Sequence, residues 1–98
     1  MRFEWDPDKD QANRLKHGLS FSEATGLFTE DIDFLEIYDD EHSGDEDRFI
    51  AIGPIERDVI VAVYTQPQDE MTRIFSARMA TPRERRLLEE YWRVRDER

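Results

Sequence analysis

The stretch MTRIFSARMATPRERR, residues 71–86, decides how the rest of the chain is arranged, because it predicts a strand that leads directly into a helix. Residues 71–79 mix apolar side chains with arginines at a period of two, which is typical of a half-buried strand. Strict alternation predicts two faces. One carries Ile74, Ser76 and Arg78, and the other carries Arg73, Phe75, Ala77 and Met79.

The second half of this stretch predicts a helix that begins at Thr81 and ends near Arg95. Thr81 supplies an N-cap, Pro82 the first helical residue, and Glu84 the acid of a capping box. Arg78 then lies at a strand end, a few residues before a helix N-terminus, where backbone amides favour anions. We therefore expect a phosphate site at Arg78.

The remaining sequence predicts further elements on both sides of an acidic loop, DDEHSGDED, residues 39–47. Proline, glycine and capping signals predict two N-terminal helices, and alternating apolar residues predict strands. The continuous apolar run 59–63 indicates a central strand buried on both faces. The predicted elements are an edge strand or extended lead-in at Phe3–Trp5, helices at 7–17 and 20–28, and strands at 32–38, 48–55 and 58–65.

These elements predict an α+β fold within one domain, residues 1–98. Its parts are two N-terminal helices, a four-stranded antiparallel sheet and a C-terminal helix. The chain has no cysteine, which excludes disulfides and fits a reducing compartment. It also lacks an apolar run long enough for a membrane span and an apolar signal-peptide core. We expect a cytoplasmic protein with no membrane partner.

The net charge of −10 argues against general affinity for nucleic acid, because Lys and Arg drive phosphate binding. All of this charge lies in residues 1–49, with 15 acidic and 5 basic side chains, whereas residues 50–98 carry nine of each. Two interpretations remain open: the acidic half binds a basic partner, or it is a solvated surface that maintains solubility. A direct DNA-binding protein is disfavoured, since there is no basic recognition helix.

The sequence has no metal-ligand spacing, P-loop, dinucleotide-binding turn or nucleophile elbow. Its two histidines, several arginines and nearby acids suffice for metal-free RNA cleavage. That reaction needs a base for the 2′-hydroxyl, cations for the developing phosphorane charge and an acid for the leaving oxygen. Arginine suits the second task because its planar fork matches phosphate oxygens.

Each candidate also has a purely structural interpretation. Arg48 can pair with the acids just before it, and Arg78 can be an ordinary sheet-edge arginine. His42 can titrate in its acidic loop without a function, and His17 suits the negative end of a helix. The sequence alone leaves both interpretations open.

An ordered series of short motifs resembles the BrnT family from Phe3 to about Tyr91. The first part is Phe3-Glu4-Trp5-Asp6, Lys9, Asn13, Lys16-His17-Gly18, Phe21, Glu23 and Ala24. The second part is Asp39, His42, Glu46, Arg48, Gly53, Val63-Tyr64-Thr65, Arg73-Ile74, Ser76-Ala77-Arg78, Ala80, Glu84 and Arg85.

The resemblance implies a toxin of a type II toxin–antitoxin pair. It implies a fold similar to RelE-type ribonucleases, cleavage of RNA without a metal or other cofactor, inhibition of translation, and neutralisation by a BrnA-like antitoxin in a hetero-oligomer. The antitoxin would be the component that binds operator DNA. The implied catalytic residues are Arg48, Arg78, His42, Glu46 and His17, and the implied RNA-binding residues are Lys16, Arg73 and Tyr64.

The sequence departs from the family pattern after Tyr64-Thr65. Gln66-Pro67 stands where family members commonly carry an acidic and then a basic residue. An alternative function is therefore a catalytically weak or inactive interaction module, which binds a basic partner and takes part in operon repression.

Overall fold

The computed structural model describes residues 1–97. Short strands and helices follow one another closely along the chain, without a long unstructured segment outside the loop at 39–48. The elements are β1 (Arg2–Glu4), α1 (Pro7–His17), α2 (Phe21–Ala24), α3 (Gly26–Thr29), β2 (Leu35–Tyr38), β3 (Phe49–Pro54), β4 (Val59–Gln68), β5 (Met71–Met79) and α4 (Pro82–Asp96).

The sheet has five strands in the order β1-β5-β4-β3-β2. β1 pairs in parallel with the start of β5, and the other neighbours are antiparallel. The predicted four-stranded antiparallel sheet is therefore wrong, because the lead-in at Phe3–Trp5 supplies a fifth strand. Three residues carry too little periodicity to predict a pairing with a strand almost 70 residues away. The predicted central position of β4 is confirmed.

Local capping signals begin α1 and α4, and end α1, as the sequence predicts. The Asp6 carboxylate accepts the Asp8 N–H at 2.9 Å, and Gly18 ends α1 with a φ of 66°, a conformation that glycine adopts without strain. Thr81 and Glu84 form the predicted capping box of α4. The helix predicted at 20–28 is instead two single turns, α2 and α3, which meet at Thr25.

Two strand boundaries differ from the sequence prediction. β4 continues through Pro67 to Gln68, so the predicted connection at 66–70 shrinks to Asp69 and Glu70. Glu70 adopts a φ of 63°, which turns the chain tightly into β5. β2 begins at Leu35, three residues later than predicted.

A β-bulge at Phe75 changes which residues of β5 share a face. Val63 lies opposite Ser76, but the next residue, Tyr64, lies opposite Ile74, so Phe75 is the extra residue. Ile74 and Ala77 consequently face the same core, although strict alternation separates them. The predicted grouping is wrong for this reason. The bulge instead places Arg73, Ser76 and Arg78 on the opposite face.

The sheet separates two apolar clusters. The larger cluster packs α2, α3 and Leu19, which follows α1, against one face, which we call the helical face, and its buried members include Leu19, Phe21, Leu27, Ala62, Ile74 and Ala77. The smaller cluster packs α4 against the opposite face, which we call the open face, and contains Ile52, Val61 and Leu88. The part of the open face beyond α4 remains accessible.

The side chain of Asn13 attaches α1 to the edge of β5. β1 pairs only with the first three residues of β5, so the edge at Ala77 has no neighbouring strand. Asn13 Nδ2 donates to the Ala77 carbonyl at 2.7 Å, and Asn13 Oδ1 accepts the Ala77 N–H at 3.2 Å. Nδ2 also donates to the Leu19 carbonyl at 2.8 Å. This buried amide satisfies three backbone groups that would otherwise lack partners.

We expect Asn13→Ala to lower the free energy of unfolding by about 3 kcal/mol, because it leaves buried groups of Ala77 and Leu19 without partners. Urea denaturation followed by circular dichroism measures this change. Gln11→Ala on the exposed side of α1 is the matched control and should cost well under 1 kcal/mol. Equal effects of the two substitutions would contradict the role of Asn13.

Candidate functional site

A shallow pocket lies on the open face beyond α4. Its floor is a cross-strand row in which Ile50 faces Val63 and Val63 faces Ser76. The polar wall comes from the 39–48 loop. The lining residues are Asp39, Glu41, His42, Arg48, Ile50, Val63, Phe75 and Ser76. An apolar floor with a few convergent polar groups is typical of a ligand site.

Arg48 lies over the ring of Phe75, at 4.3 Å from the guanidinium carbon to the ring centroid. Lys9 of α1 approaches the same ring, with Nζ 5.4 Å from the centroid. Among residues 1–97, Arg48 has no acidic partner within 4 Å, so pairing with Asp45 or Asp47 does not account for it. A guanidinium on an aromatic ring keeps its charge available to an anion.

His42 is oriented by Asp39, three residues before it. Its Nδ1 lies 3.0 and 3.1 Å from the two carboxylate oxygens, and its backbone N–H donates to the same side chain at 3.3 Å. The Asp39 side chain is only 13% exposed, whereas that of His42 is 61% exposed. With Nδ1 directed at Asp39, Nε2 remains available for proton transfer.

Arg73 links the first strand to the acidic loop. It donates from Nε and Nη2 to Glu4 on β1, at 3.0 and 2.7 Å. Its Nη1 lies 3.9 Å from Glu46. Glu46 and Arg73 therefore lie at the same end of the sheet as Arg48 and His42, and Arg73 is partly neutralised by two carboxylates.

Arg78 is held by α4. Its Nη1 and Nη2 donate to the two carboxylate oxygens of Glu84 at 2.7 and 2.8 Å. The guanidinium, followed by the Thr81 backbone amide, lowers the pKa of Glu84 to about 2 against the opposing effect of burial. The same hydrogen bonds raise the pKa of Arg78. The anion at the predicted phosphate site is thus the carboxylate of Glu84.

The other predicted residues lie away from this pocket. α1 runs along β5 from Lys9, beside Phe75, to Gly18, whose carbonyl accepts a hydrogen bond from Arg57 in the β3–β4 turn. His17 and Lys16 therefore lie at the opposite end of the sheet from His42.

Tyr64 lies inside the larger cluster and is fully buried. Its hydroxyl donates to Glu36, and burial followed by this carboxylate raises the pKa of Tyr64. The predicted contact between Tyr64 and RNA does not fit this position, because neither the ring nor the hydroxyl faces the open pocket.

The structure brings His42 and Arg48 together in one pocket. Arg73 and Glu46 lie near each other at the same end of the sheet but outside that pocket, and Arg78 lies further along the open face beside α4. The sequence interpretation missed three residues that organise this end: Asp39, Phe75 and Lys9. Asp39 has a local signal, since it lies three residues from His42 in the sequence. Phe75 has none, because only the bulge brings it beside Arg48.

The fold matches a crystal structure. The Brucella abortus ribonuclease toxin BrnT aligns with a TM-score of 0.62 and 24% sequence identity, and the alignment covers 83% of this chain and 97% of that chain. At this level of identity, the match establishes a shared fold. A comparison with curated protein sequences gives no match.

A family model described as the ribonuclease toxin BrnT of type II toxin–antitoxin systems matches residues 5–84. This match spans most of the chain and defines its class, the ribonuclease toxins of type II toxin–antitoxin systems. The chain belongs to the BrnT family, and the resemblance in its motifs is thereby confirmed. Within residues 1–97, no helix is long and apolar enough to span a membrane, and no group of three or more acidic or histidine side chains is arranged around a metal position.

The depressed pKa of Glu84 predicts a pH-dependent contribution to stability. The folded-state pKa is about 2 and the ordinary value is 4.5, so the stabilisation is complete above pH 4.5 and is lost as the pH falls toward 2. We expect Glu84→Gln to lower the free energy of unfolding most above pH 5, and the difference from wild type to shrink by pH 2.5. Urea denaturation across this range measures the difference.

Glu89→Gln is the matched control, because it removes an exposed carboxylate from the same helix. Its difference from wild type should remain small throughout. A Glu84→Gln difference that is the same at pH 7 and pH 2.5 would contradict the ion pair with Arg78.

Proposed function

We propose that this BrnT-family chain is a metal-independent endoribonuclease that cleaves RNA through its 2′-hydroxyl and thereby inhibits translation. The observation that carries the proposal is the pocket shared by Arg48 and the Asp39–His42 pair. It joins a guanidinium that has no acidic partner within residues 1–97 to a histidine whose second nitrogen is available. These two groups can supply the cation and the acid that in-line attack on a phosphodiester requires.

In the proposed reaction, a base removes the proton from the 2′-hydroxyl while its oxygen attacks the adjacent phosphorus. The bond from phosphorus to the 5′-oxygen breaks, and an acid protonates the departing oxygen. The products are a 2′,3′-cyclic phosphate and a 5′-hydroxyl. We assign the acid to His42 and the base to Glu46, while Arg48 and Arg73 stabilise the charge on the phosphorane oxygens.

Geometry supports this division of roles over one that uses His17 or Lys16. His42 and Arg48 line the same pocket, and Glu46 lies beside Arg73, which is on the same face. The end of α1 that carries His17 and Lys16 lies near the β3–β4 turn. The proposal therefore gives these two residues no part in the reaction.

Charge supports neutralisation by a basic antitoxin, which we propose to be BrnA-like. Residues 30–47 contain ten acidic side chains and no Lys or Arg, so this segment carries a charge equal to the net charge of the chain. A basic antitoxin segment complements this surface. Contact with operator DNA is assigned to the antitoxin, since the chain itself is strongly acidic.

The ion pairs of Arg73 and Arg78 favour a second candidate function, the weak or inactive interaction module. Glu84 engages both terminal nitrogens of Arg78, and Glu4 with Glu46 surrounds Arg73. Arg73 and Arg78 are thus paired with carboxylates, whereas Arg48, in the part of the chain that the structure describes, is not. If these ion pairs persist when RNA is present, the chain would bind a basic partner and take part in operon repression but would not cleave RNA.

Arg48→Gln decides between these two functions. We expect it to lower the rate of RNA cleavage by about a hundredfold or more, because it removes a cation that stabilises transition-state charge. Purified protein is assayed on single-stranded RNA with excess chelator, and the products are tested for a 2′,3′-cyclic phosphate. DNA of the same sequence should remain intact, since it lacks the 2′-hydroxyl.

Arg86→Gln is the matched control, because it removes an exposed arginine from α4 and should retain activity. Expression of the wild-type chain alone should arrest growth and deplete cellular RNA, and co-expression of the neighbouring gene should restore both. Unimpaired growth with folded protein and intact RNA would contradict the ribonuclease and favour the interaction module.

A further inference from the structure

Phe75 is an aromatic residue that is not packed into either apolar core. Its ring is half-buried, yet it belongs to neither the larger cluster on the helical face nor the smaller cluster under α4. Instead it is the extra residue of the bulge, and two cations lie against its ring. Bulges near functional sites commonly redirect one side chain.

The two cations reach this ring from distant parts of the sequence. Lys9 comes from the first turns of α1, and Arg48 comes from the residue before β3. Their distances to the ring centroid, 5.4 and 4.3 Å, place the two charges within about 10 Å of each other, close to one Debye length at physiological salt. Both charges therefore contribute to the potential at the same pocket.

We propose that Phe75 is a positioning residue that holds Arg48 and Lys9 over one ring, and that Lys9 is an RNA phosphate contact of this composite cationic site. The proposal rests on the proposed function, because it names how the same site holds its substrate. A flexible lysine and arginine each lose rotamer freedom when they bind phosphate, and contact with a ring removes part of that cost in advance.

Anchoring of α1 supports the assignment of Lys9. The Asn13 amide fixes the helix to Ala77, two residues beyond Phe75. Lys9 precedes Asn13 by four residues, or about one helical turn, so it lies on the same side of α1. Arg14 lies on the same helix but pairs with Asp10 at 3.7 Å, and its side chain is 57% exposed.

Phe75→Leu tests the positioning role first without any RNA. An aromatic ring shifts the proton resonances of groups above it, so the Arg48 guanidinium and Lys9 side-chain signals should move when Phe75 becomes Leu and largely return in Phe75→Trp. Unchanged Arg48 and Lys9 signals in folded Phe75→Leu would overturn the positioning role, whether or not the chain cleaves RNA.

The functional readout separates turnover from binding. Phe75→Leu should lower the cleavage rate at saturating RNA by about tenfold through misplacement of Arg48, and Phe75→Trp should restore most of it. Affinity for a 2′-O-methyl RNA, which cannot be cleaved, should fall less than the rate. If Phe75→Leu cleaves RNA at the wild-type rate, the proposal is overturned, whereas the ribonuclease function is not.

Lys9→Gln tests the phosphate contact, with Arg14→Gln as the matched control of equal charge on the same helix. Lys9→Gln should weaken binding of the 2′-O-methyl RNA and reduce the slope of log affinity against log salt by about 0.7, the value for one phosphate contact on a single strand. Arg14→Gln should leave the slope unchanged. Equal slopes for the two variants would overturn the role of Lys9, and absence of RNA binding by the wild type would contradict the proposed function itself.

Discussion

The hydrogen bonds between the Asn13 amide and the Ala77 backbone are the constraint on which the arrangement of this protein depends. β1 is too short to cover the edge of β5, so the buried N–H and C=O of Ala77 would otherwise lack partners. A side-chain amide offers one donor and one acceptor in the geometry of a peptide group, and it thus acts as a single residue of an absent strand. By the same bonds α1 is fixed along β5.

Fixing α1 in this position also determines the site, because the helix begins beside the bulge. Phe75 leaves the register of the sheet two residues after β1 ends its pairing at Arg73. On one side of the bulge, Ile74 faces the helical core; on the other, Ala77 does so as well. One irregular residue therefore keeps both halves of β5 packed and places three polar residues of the strand on the open face.

The sequence predicts those parts of the structure that depend on neighbours in the chain. The caps at Asp6, Ser20 and Thr81 are local hydrogen bonds between residues two or three apart, and all three form. Parallel pairing of β1 and the bulge at Phe75 depend on the register between distant segments. No residue pattern in a single strand records that register, which is why the predicted sheet lacks a strand and the predicted faces of β5 are mixed.

The candidate site likewise has parts that follow from neighbours in the chain and parts that depend on distant segments. His42 and Arg48 are brought together by one loop, so their proximity follows from the sequence once that loop is recognised. His17 is separated from them by the length of a sheet, which no spacing argument reveals. Glu84 illustrates a third case: its capping role is local and confirmed, but the same carboxylate also neutralises Arg78. Glu84, which the sequence predicts only as a cap, therefore occupies the guanidinium of Arg78, which is expected to bind phosphate.

The distribution of charge connects the proposed RNA cleavage with its proposed inhibition by an antitoxin. Residues 30–47 repel RNA, yet they include His42 and Glu46, and Glu46 lies 3.9 Å from Arg73 on the open face. A basic partner that binds this segment removes the repulsion, but it also covers the proposed acid and base. Charge neutralisation and inhibition then occur in the same contact. On this proposal, an antitoxin needs no separate blocking segment, because the acids that would attract it surround the proposed acid and base.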